Sequence, residues 1–210
     1  MSAMSGPGRA SGPGSVRLFV AIDPDDQLRA RLADRVEALR AELGRDSEIR
    51  WVAPENLHVT LRFIGSVERA QAEAIAGAIE PPMAMSPFEM TPGAGVAFPE
   101  ARQPRVLAVR VEPSDGFAVV RDEIEGRLVR SGVAPERRPF TPHLTVGRVP
   151  PTARGQSGRR LRQTLEQVFA APLGCCRVDH VTLYESRLTS RMPVYVPLQR
   201  IALHGPTRSR

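Results

Sequence analysis

Three tripeptides of one pattern, His-x-Thr, occur in a chain of 210 residues that contains four histidines. They are His58-Val59-Thr60, His143-Leu144-Thr145 and His180-Val181-Thr182. Chance supplies only about 0.2 such tripeptides from so few histidines, so the repetition is a signal rather than an accident of composition. One copy alone would indicate a half-buried structural histidine beside a β-branched neighbour, and three copies reverse that interpretation.

Each copy lies in a run of residues that favours a β-strand, where positions i and i+2 project to the same face about 6.6 Å apart. Each histidine is therefore expected beside a threonine hydroxyl, with the apolar residue between them turned the other way. Imidazole has an ordinary pKa of about 6.5, so two histidines can act as base and acid together near neutrality. Threonine hydroxyls can donate to the non-bridging oxygens of a phosphate. The pattern favours phosphoryl chemistry without a metal.

The surroundings of the three copies argue against other histidine chemistries. No HxH pair and no acid at ligand spacing accompanies a copy, and the two cysteines, Cys175 and Cys176, are adjacent and lie near only one of them. Adjacent cysteines suit neither an ordinary disulfide nor a metal-binding pair, so we interpret them as strand residues. No serine stands in a nucleophile elbow. We expect neither a metal nor a cofactor.

Composition excludes lysine-dependent chemistry and favours an anionic partner. All 29 basic residues are arginine, which excludes a P-loop lysine, a Schiff base and a lysine adenylate. The net charge of +6 suits a polyanion, although an arginine-rich proteome would explain it equally well. No apolar run approaches membrane-spanning length, and residues 1–15 lack the apolar core of a signal peptide. We expect a cytoplasmic protein without a membrane partner.

Strand-like and helix-like runs alternate along the chain after residues 1–15, which we expect to be a disordered tail ahead of one domain over residues 16–210. The predicted strands are Val16–Ile22, Ile49–Val52, Leu57–Ile64, Phe88–Met90, Val96–Phe98, Arg105–Val111, Pro142–Val149, Arg177–Ser186 and Val194–Leu203. Helices are predicted from Asp23–Asp26 to Leu43, from Ser66 to Glu80, from Ser114 to Arg130 and over Arg159–Ala170, with a mobile loop at Pro150–Gly158. The pattern lacks the regular βαβ alternation of a parallel sheet and predicts an α+β fold with antiparallel sheets.

The first two copies have comparable flanks. His58 and His143 are 85 residues apart, and each follows a turn in a strand–helix repeat, which indicates a duplicated lobe. On these residues the sequence resembles the two-histidine phosphoesterase superfamily, and within it the RNA 2′,3′-cyclic phosphodiesterases, once called 2′-5′ RNA ligases. The resemblance spans residues 16–203 and includes Arg17–Ile22, Trp51–His58, Phe140–Thr145 and Leu183–Ser186.

The resemblance implies two pseudo-symmetric lobes whose antiparallel sheets surround a central cleft, with helices packed outside. It implies that His58 donates a proton, that His143 accepts one, and that Thr60 and Thr145 complete the site. Arg148, three residues beyond the second threonine, matches a family position that would contact phosphate.

The implied activity is metal-independent hydrolysis of an RNA-terminal 2′,3′-cyclic phosphate to a 2′-phosphomonoester by a monomer, with weak reverse ligation to a 5′-hydroxyl end. Two alternatives stay open: a phosphoesterase of small cyclic nucleotides, and a non-catalytic RNA-binding module of the same fold. Arg62 is a weaker phosphate contact, since a solvated face explains it equally well. His180 lacks the upstream turn and following helix of the other copies, so we expect a strand residue, and His204 has no motif partner.

Overall fold

Strands and helices alternate in the computed structural model, which describes residues 14–44, 47–100, 103–152, 157–187 and 193–205. The strands are β1 (Ser15–Ile22), β2 (Arg50–Trp51), β3 (Val59–Glu68), β4 (Phe88–Met90), β5 (Pro92–Phe98), β6 (Val106–Val111), β7 (His143–Arg148), β8 (Cys176–Val178), β9 (His180–Arg187) and β10 (Val194–Ala202). The helices are α1 (Asp26–Leu43), α2 (Arg69–Ile79), α3 (Asp115–Arg130) and α4 (Gly158–Val168), and Pro54–Asn56 forms a 3-10 turn.

Two antiparallel groups of strands make up the main sheet. One group has the order β10-β9-β1-β3, and the other has the order β7-β6-β5, with β2 paired to the end of β7. A single residue pair, Val59 of β3 with Leu144 of β7, joins the two groups into one sheet. The predicted α+β fold with antiparallel sheets is confirmed, and the join lies within two of the His-x-Thr motifs. A separate two-stranded sheet consists of β4 and β8.

The helices pack on one face of the main sheet, and α1 shows why. Asp25 caps α1 by accepting a hydrogen bond of 2.7 Å from the Leu28 backbone, and Gly44 ends it at a φ of +89°. The predicted apolar stripe of α1 is buried: Leu28, Leu32, Val36, Leu39 and Leu43. This helix contacts α4, which covers β5, while α2 contacts α3 and β1. The shared core includes Val59 and Leu144, so the helices lie on the face opposite to the motif histidines.

Two predicted boundaries are wrong for a reason that lies in strand pairing. Ser66 does not begin a helix, because β3 continues to Glu68 and Ser66 pairs with Arg17 of β1. The predicted strand over 177–186 breaks at Asp179, because β8 pairs with β4 whereas β9 pairs with β1 and β10. Both corrections depend on partners far away in the sequence.

The predicted tail falls largely outside the described residues, and the predicted loop falls partly outside them. Of the tail, only Gly14 and Ser15 are described, and Ser15 already pairs with Glu68 in the sheet. Of the predicted loop, residues 153–156 are not described. Among the helices of the described ranges, none has the length and apolar character needed to cross a membrane.

Candidate active site

The join between the two groups of strands brings the first two His-x-Thr motifs together. Val59 and Leu144 pair across it, and both are fully buried on the helix-covered face. Because neighbouring residues of a strand point to opposite faces, the motif histidines and threonines share the other face, and all four are half-buried. Extending the antiparallel register by one residue sets each histidine beside the threonine of the other motif. These neighbours are His58 with Thr145 and His143 with Thr60.

Both ring nitrogens of His58 are engaged within its own motif. Nδ1 donates to the Asn56 carbonyl oxygen at 2.7 Å, and Nε2 lies 3.1 Å from the Thr60 hydroxyl. Since a carbonyl oxygen can only accept, Nδ1 carries a proton and the neutral ring has its lone pair on Nε2. The rings of Phe19 and Tyr195 pack against the imidazole at 5.0 and 5.2 Å between centroids. The ring is therefore fixed with Nε2 as its exchangeable position.

His143 is held in the same way on the opposite strand. Its Nδ1 donates to the Thr141 carbonyl oxygen at 2.7 Å, and Phe98 packs on the ring with 5.4 Å between centroids. The carbonyl again leaves Nε2 to take up or release a proton. The two motifs thus present two imidazoles of one tautomer on one face of the sheet.

Charges at this face act on His58. Burial lowers the pKa of His58 below its ordinary value, and the positive charges of Arg148 and His143 lower it further. The Asn56 carbonyl and the carboxylate of Asp23 act in the opposite direction and raise it. The two histidines and Arg148 are therefore close enough to share one electrostatic environment.

A bulge in β7 places Arg148 on the histidine face. Simple alternation would turn it away from Thr145, three residues earlier. Thr145 and Gly147 lie opposite two consecutive residues of β6, so β7 holds one extra residue between them. The bulge returns Arg148 to the face of Thr145, which agrees with the effect of its charge on His58.

A second arginine, Arg50, was not predicted from the sequence and lies directly opposite Arg148 in the ladder between β2 and β7. Like charges at opposed positions of a sheet destabilise it. In the part of the chain that the structure describes, neither guanidinium has an ion pair or a protein hydrogen bond. An anion near the two side chains would relieve this repulsion, so the pair favours a negatively charged ligand beside the histidines.

A family model described as the 2′-5′ RNA ligase superfamily matches residues 11–189, which include all three His-x-Thr motifs. The chain belongs to the 2′-5′ RNA ligase superfamily. The resemblance predicted from the sequence is thus confirmed.

Relatives within this superfamily carry the name RNA 2′,3′-cyclic phosphodiesterase. The protein of Methanothermobacter thermautotrophicus is 34% identical over 187 residues, with 88% of this chain and 97% of the relative covered. The protein of Escherichia coli is 30% identical over 198 residues, with 89% and 96% covered.

Solved structures share the fold. E. coli LigT complexed with 3′-AMP aligns with a TM-score of 0.64 and 26% identity, over 90% of this chain and 98% of LigT. The protein TT0787 of Thermus thermophilus aligns with a TM-score of 0.70 and 23% identity over the same shares. Both matches agree with the α+β fold with antiparallel sheets.

Arg62 does not contribute to the site of this superfamily member. Its Nε donates to Glu125 at 2.7 Å, and its Nη1 lies 3.4 Å from Glu136. Its other donors reach the carbonyl oxygens of Phe63 and Ala134. Because these partners occupy the guanidinium, Arg62 is a structural residue and the weaker phosphate candidate is withdrawn.

The third His-x-Thr copy is built differently from the other two. His180 begins β9, as expected of a strand residue, and its Nδ1 lies 2.6 Å from the Asp179 carboxylate. Thr182 is fully buried and donates to Asp23 rather than to a histidine. His204 is exposed near the end of the described chain, and its backbone N–H donates to the Met83 carbonyl. Neither histidine joins the pair formed by the first two motifs.

Sequence reasoning missed the aromatic side chains and the acid on the histidine face. Phe19 and Asp23 could have been found, because alternation in β1 sets them opposite to the buried Leu18, Val20 and Ile22. Tyr195 and Phe98 could not, because their positions depend on how distant strands pair. Within the described ranges, no group of three or more histidine, cysteine or acidic side chains is arranged to hold a metal ion.

Proposed function

We propose that this superfamily member hydrolyses the 2′,3′-cyclic phosphate at an RNA end to a 2′-phosphomonoester. The observation that carries the proposal is the matched pair of imidazoles, in which His58 and His143 each bind a carbonyl through Nδ1 and keep Nε2 for proton transfer. Arg50 and Arg148, whose guanidinium groups form no ion pair with the described residues, add a place for the phosphate charge. The names of the relatives agree with this activity.

The reaction needs one base and one acid at the same phosphorus. Nε2 of neutral His143 takes a proton from water while the water oxygen forms a bond to phosphorus. The bond from phosphorus to the 3′ oxygen breaks, and Nε2 of protonated His58 gives its proton to that oxygen. His58 ends neutral and His143 ends protonated, and exchange with solvent restores both. Each transfer is worth about 10²–10⁴-fold in rate.

The remaining motif residues stabilise the charge that builds up on phosphate. The hydroxyls of Thr60 and Thr145 lie on the same face as the histidines and can donate to non-bridging oxygens. Arg148, with a planar fork of donors, can bind two phosphate oxygens at once, and Arg50 neutralises further charge beside it. No step of this mechanism uses a metal or a cofactor.

The deciding experiment maps the product from an RNA oligonucleotide that ends in a 2′,3′-cyclic phosphate. We expect conversion to a 2′-phosphate by the parent chain and by His204→Ala, an exposed-histidine control, and loss of conversion in His143→Ala. A 3′-phosphate product, or no product from the folded parent, contradicts the proposal.

RNA rather than a small cyclic nucleotide is proposed as the substrate because of the basic face and the net charge of +6. Binding of the oligonucleotide should weaken as salt rises, with a slope near −0.7 for each phosphate contact on a single strand. The matched control is the mononucleotide 2′,3′-cyclic phosphate, for which a shallower slope is expected. Equal slopes would favour the small-molecule phosphoesterase.

The proposal includes the monomeric state and the cytoplasmic location expected from the sequence. Sedimentation or light scattering at the assay concentration tests the first, and fractionation of cells that produce the chain tests the second. A stable dimer would require the site to be re-examined for contributions from a second copy.

A further inference from the structure

The acid of the histidine face, Asp23, is held by two hydroxyls from β9. The Thr182 hydroxyl donates to its Oδ2 at 2.9 Å, and the Tyr184 hydroxyl donates to its Oδ1 at 2.8 Å. Both donors come from the third His-x-Thr motif and the residues that follow it. This use of Thr182 accounts for a threonine that the proposed reaction leaves without a role.

The partners of Asp23 fix its position without cancelling its charge. Thr182 and Tyr184 are neutral, and burial together with the charge of Asp23 raises the pKa of the Tyr184 phenol above its ordinary value, so the phenol stays protonated. Among the described residues, no arginine or histidine forms an ion pair with Asp23. A carboxylate oriented by neutral donors acts on its neighbours through its negative charge. The nearest cation from α1 is Arg29, which binds the Pro24 carbonyl and lowers the pKa of Tyr184.

Of the first two motifs, the residue beside this charge is His58. Ala21 pairs with Thr60 and Ile22 with Val59, so the antiparallel register continues to Asp23 beside His58. The two side chains do not bond to each other, since the His58 nitrogens are engaged by Asn56 and Thr60. Asp23 therefore acts on the imidazole through space.

Among the described residues, the other charged groups that act on His58 disfavour its protonated form. Arg148 approaches from β7 with a positive charge, and His143, when it is protonated, adds a second one. From β10, Tyr195 contributes a neutral phenol. Burial raises the pKa of this phenol, and the positive charges of Arg148 and Arg17 lower it by a smaller amount. Burial of His58 acts in the same direction as the cations. Asp23 is the negative charge that opposes them.

We propose that Asp23, fixed by Thr182 and Tyr184, is a positioning residue that keeps the proton on His58 for delivery to the leaving oxygen. This inference rests on the proposed function, because it assigns His58 the acid role. It also gives the third motif a purpose: its threonine holds the counter-ion of the first motif's histidine.

The test is the pH dependence of kcat/KM in Asp23→Asn, which keeps the size and one acceptor of the side chain. The rate well above both histidine pKa values is proportional to the protonated fraction of His58, whereas the rate well below both depends on neutral His143 alone. We expect a loss of about tenfold at high pH, as for a one-unit fall in the pKa of the acid, and no change on the acid limb.

A second readout does not require activity. The four histidines allow each imidazole signal to be assigned by NMR from single variants. The His58 signal of Asp23→Asn should titrate at lower pH than that of the parent. Asp179→Asn removes the same charge beside His180 and is the matched control, with both His58 and the rate profile unchanged. Thr182→Val should reproduce a weaker form of the Asp23→Asn profile.

The outcomes separate this inference from the function on which it rests. An equal loss at every pH would reduce Asp23 to a structural residue, and faster turnover on the acid limb would make His58 the base; either result overturns the inference. An unmoved His58 titration overturns it as well. A folded parent that fails to hydrolyse the cyclic phosphate, while the His58 titration still responds to Asp23→Asn, overturns the proposed function instead.

Discussion

His58 and His143 are held by one hydrogen-bonding arrangement in two different surroundings. In each, Nδ1 donates to the carbonyl two residues upstream at 2.7 Å. His58, however, is covered by Phe19 and Tyr195, whereas the bond from His143 to its carbonyl is exposed to solvent. The different surroundings come from β9 and β10, since Tyr195 of β10 packs on His58 and Thr182 of β9 binds Asp23.

The arginines that follow the two threonines differ in the same way. Arg62, two residues after Thr60, is 10% exposed and is bound by Glu125 and Glu136. Arg148, three residues after Thr145, is exposed on the histidine face. Both strands hold one extra residue at this point. In β3 it turns Arg62 away from the face of Thr60, and in β7 it returns Arg148 to the face of Thr145. Similar sequence positions therefore hold a guanidinium bound by carboxylates in one lobe and an exposed guanidinium on the histidine face in the other.

The largest effect is expected from removing either imidazole. His58→Ala and His143→Ala should each lower kcat by at least about 10²-fold, because each removes one proton transfer. Single-turnover rates on a cyclic-phosphate oligonucleotide measure the loss, and circular dichroism shows whether each variant is folded. Residual activity near that of the parent in one of them would mean that the lobes are not both catalytic.

The next effect is on stability and belongs to the first lobe. Arg62→Met should lower the free energy of unfolding by about 2–3 kcal/mol, because it leaves the carboxylates of Glu125 and Glu136 without their shared cation. Arg138 partly protects Glu136, whose pKa it lowers to about 2 by hydrogen bonding. Urea unfolding measures the change. A stable but inactive Arg62→Met would restore Arg62 as a phosphate contact.

The matching substitution in the second lobe should act on activity instead. Arg148→Met is expected to lower kcat/KM about tenfold, the scale of one charge-assisted hydrogen bond, without a loss of stability, since the side chain is exposed. Arg50→Met is the companion variant. We expect it to lower kcat/KM less, because Arg50 lies on β2, one strand away from His143 on β7. If Arg148→Met unfolds at a lower urea concentration than the parent but keeps the parent's turnover rate, Arg148 is a structural residue and the contrast with Arg62 is wrong.

The sequence predicts those parts of the site that depend on short spacing. Alternation along a strand correctly predicts that His58 and Thr60 lie on the same face. Helical periodicity correctly predicts which residues of α1 are buried. The face of Arg148 depends on a bulge that only the pairing with β6 defines. The partner of Thr182 is 159 residues away in the chain, beyond any local pattern. Long-range strand pairing, rather than residue choice, is what the sequence left undetermined.

The smallest effect on turnover is expected from the third histidine, which tests whether a shared tripeptide implies a shared role. His180→Ala should keep kcat within about tenfold of the parent, below the range of a general acid or base. The structural reason is that the His180 ring bonds to Asp179, whereas the two motif histidines bond to backbone carbonyls beside the join of the sheet.

The sharper form of this test compares the two ends of the same tripeptide. Thr182→Val removes the donor to Asp23 and should reduce turnover more than His180→Ala does, although His180 is the residue with acid–base chemistry. In the first two motifs we expect the opposite order, in which replacing the histidine lowers turnover more than replacing the threonine. If His180→Ala were as inactive as His143→Ala while remaining folded, three histidines would share the chemistry, and the division between paired lobes and a supporting third strand would be wrong.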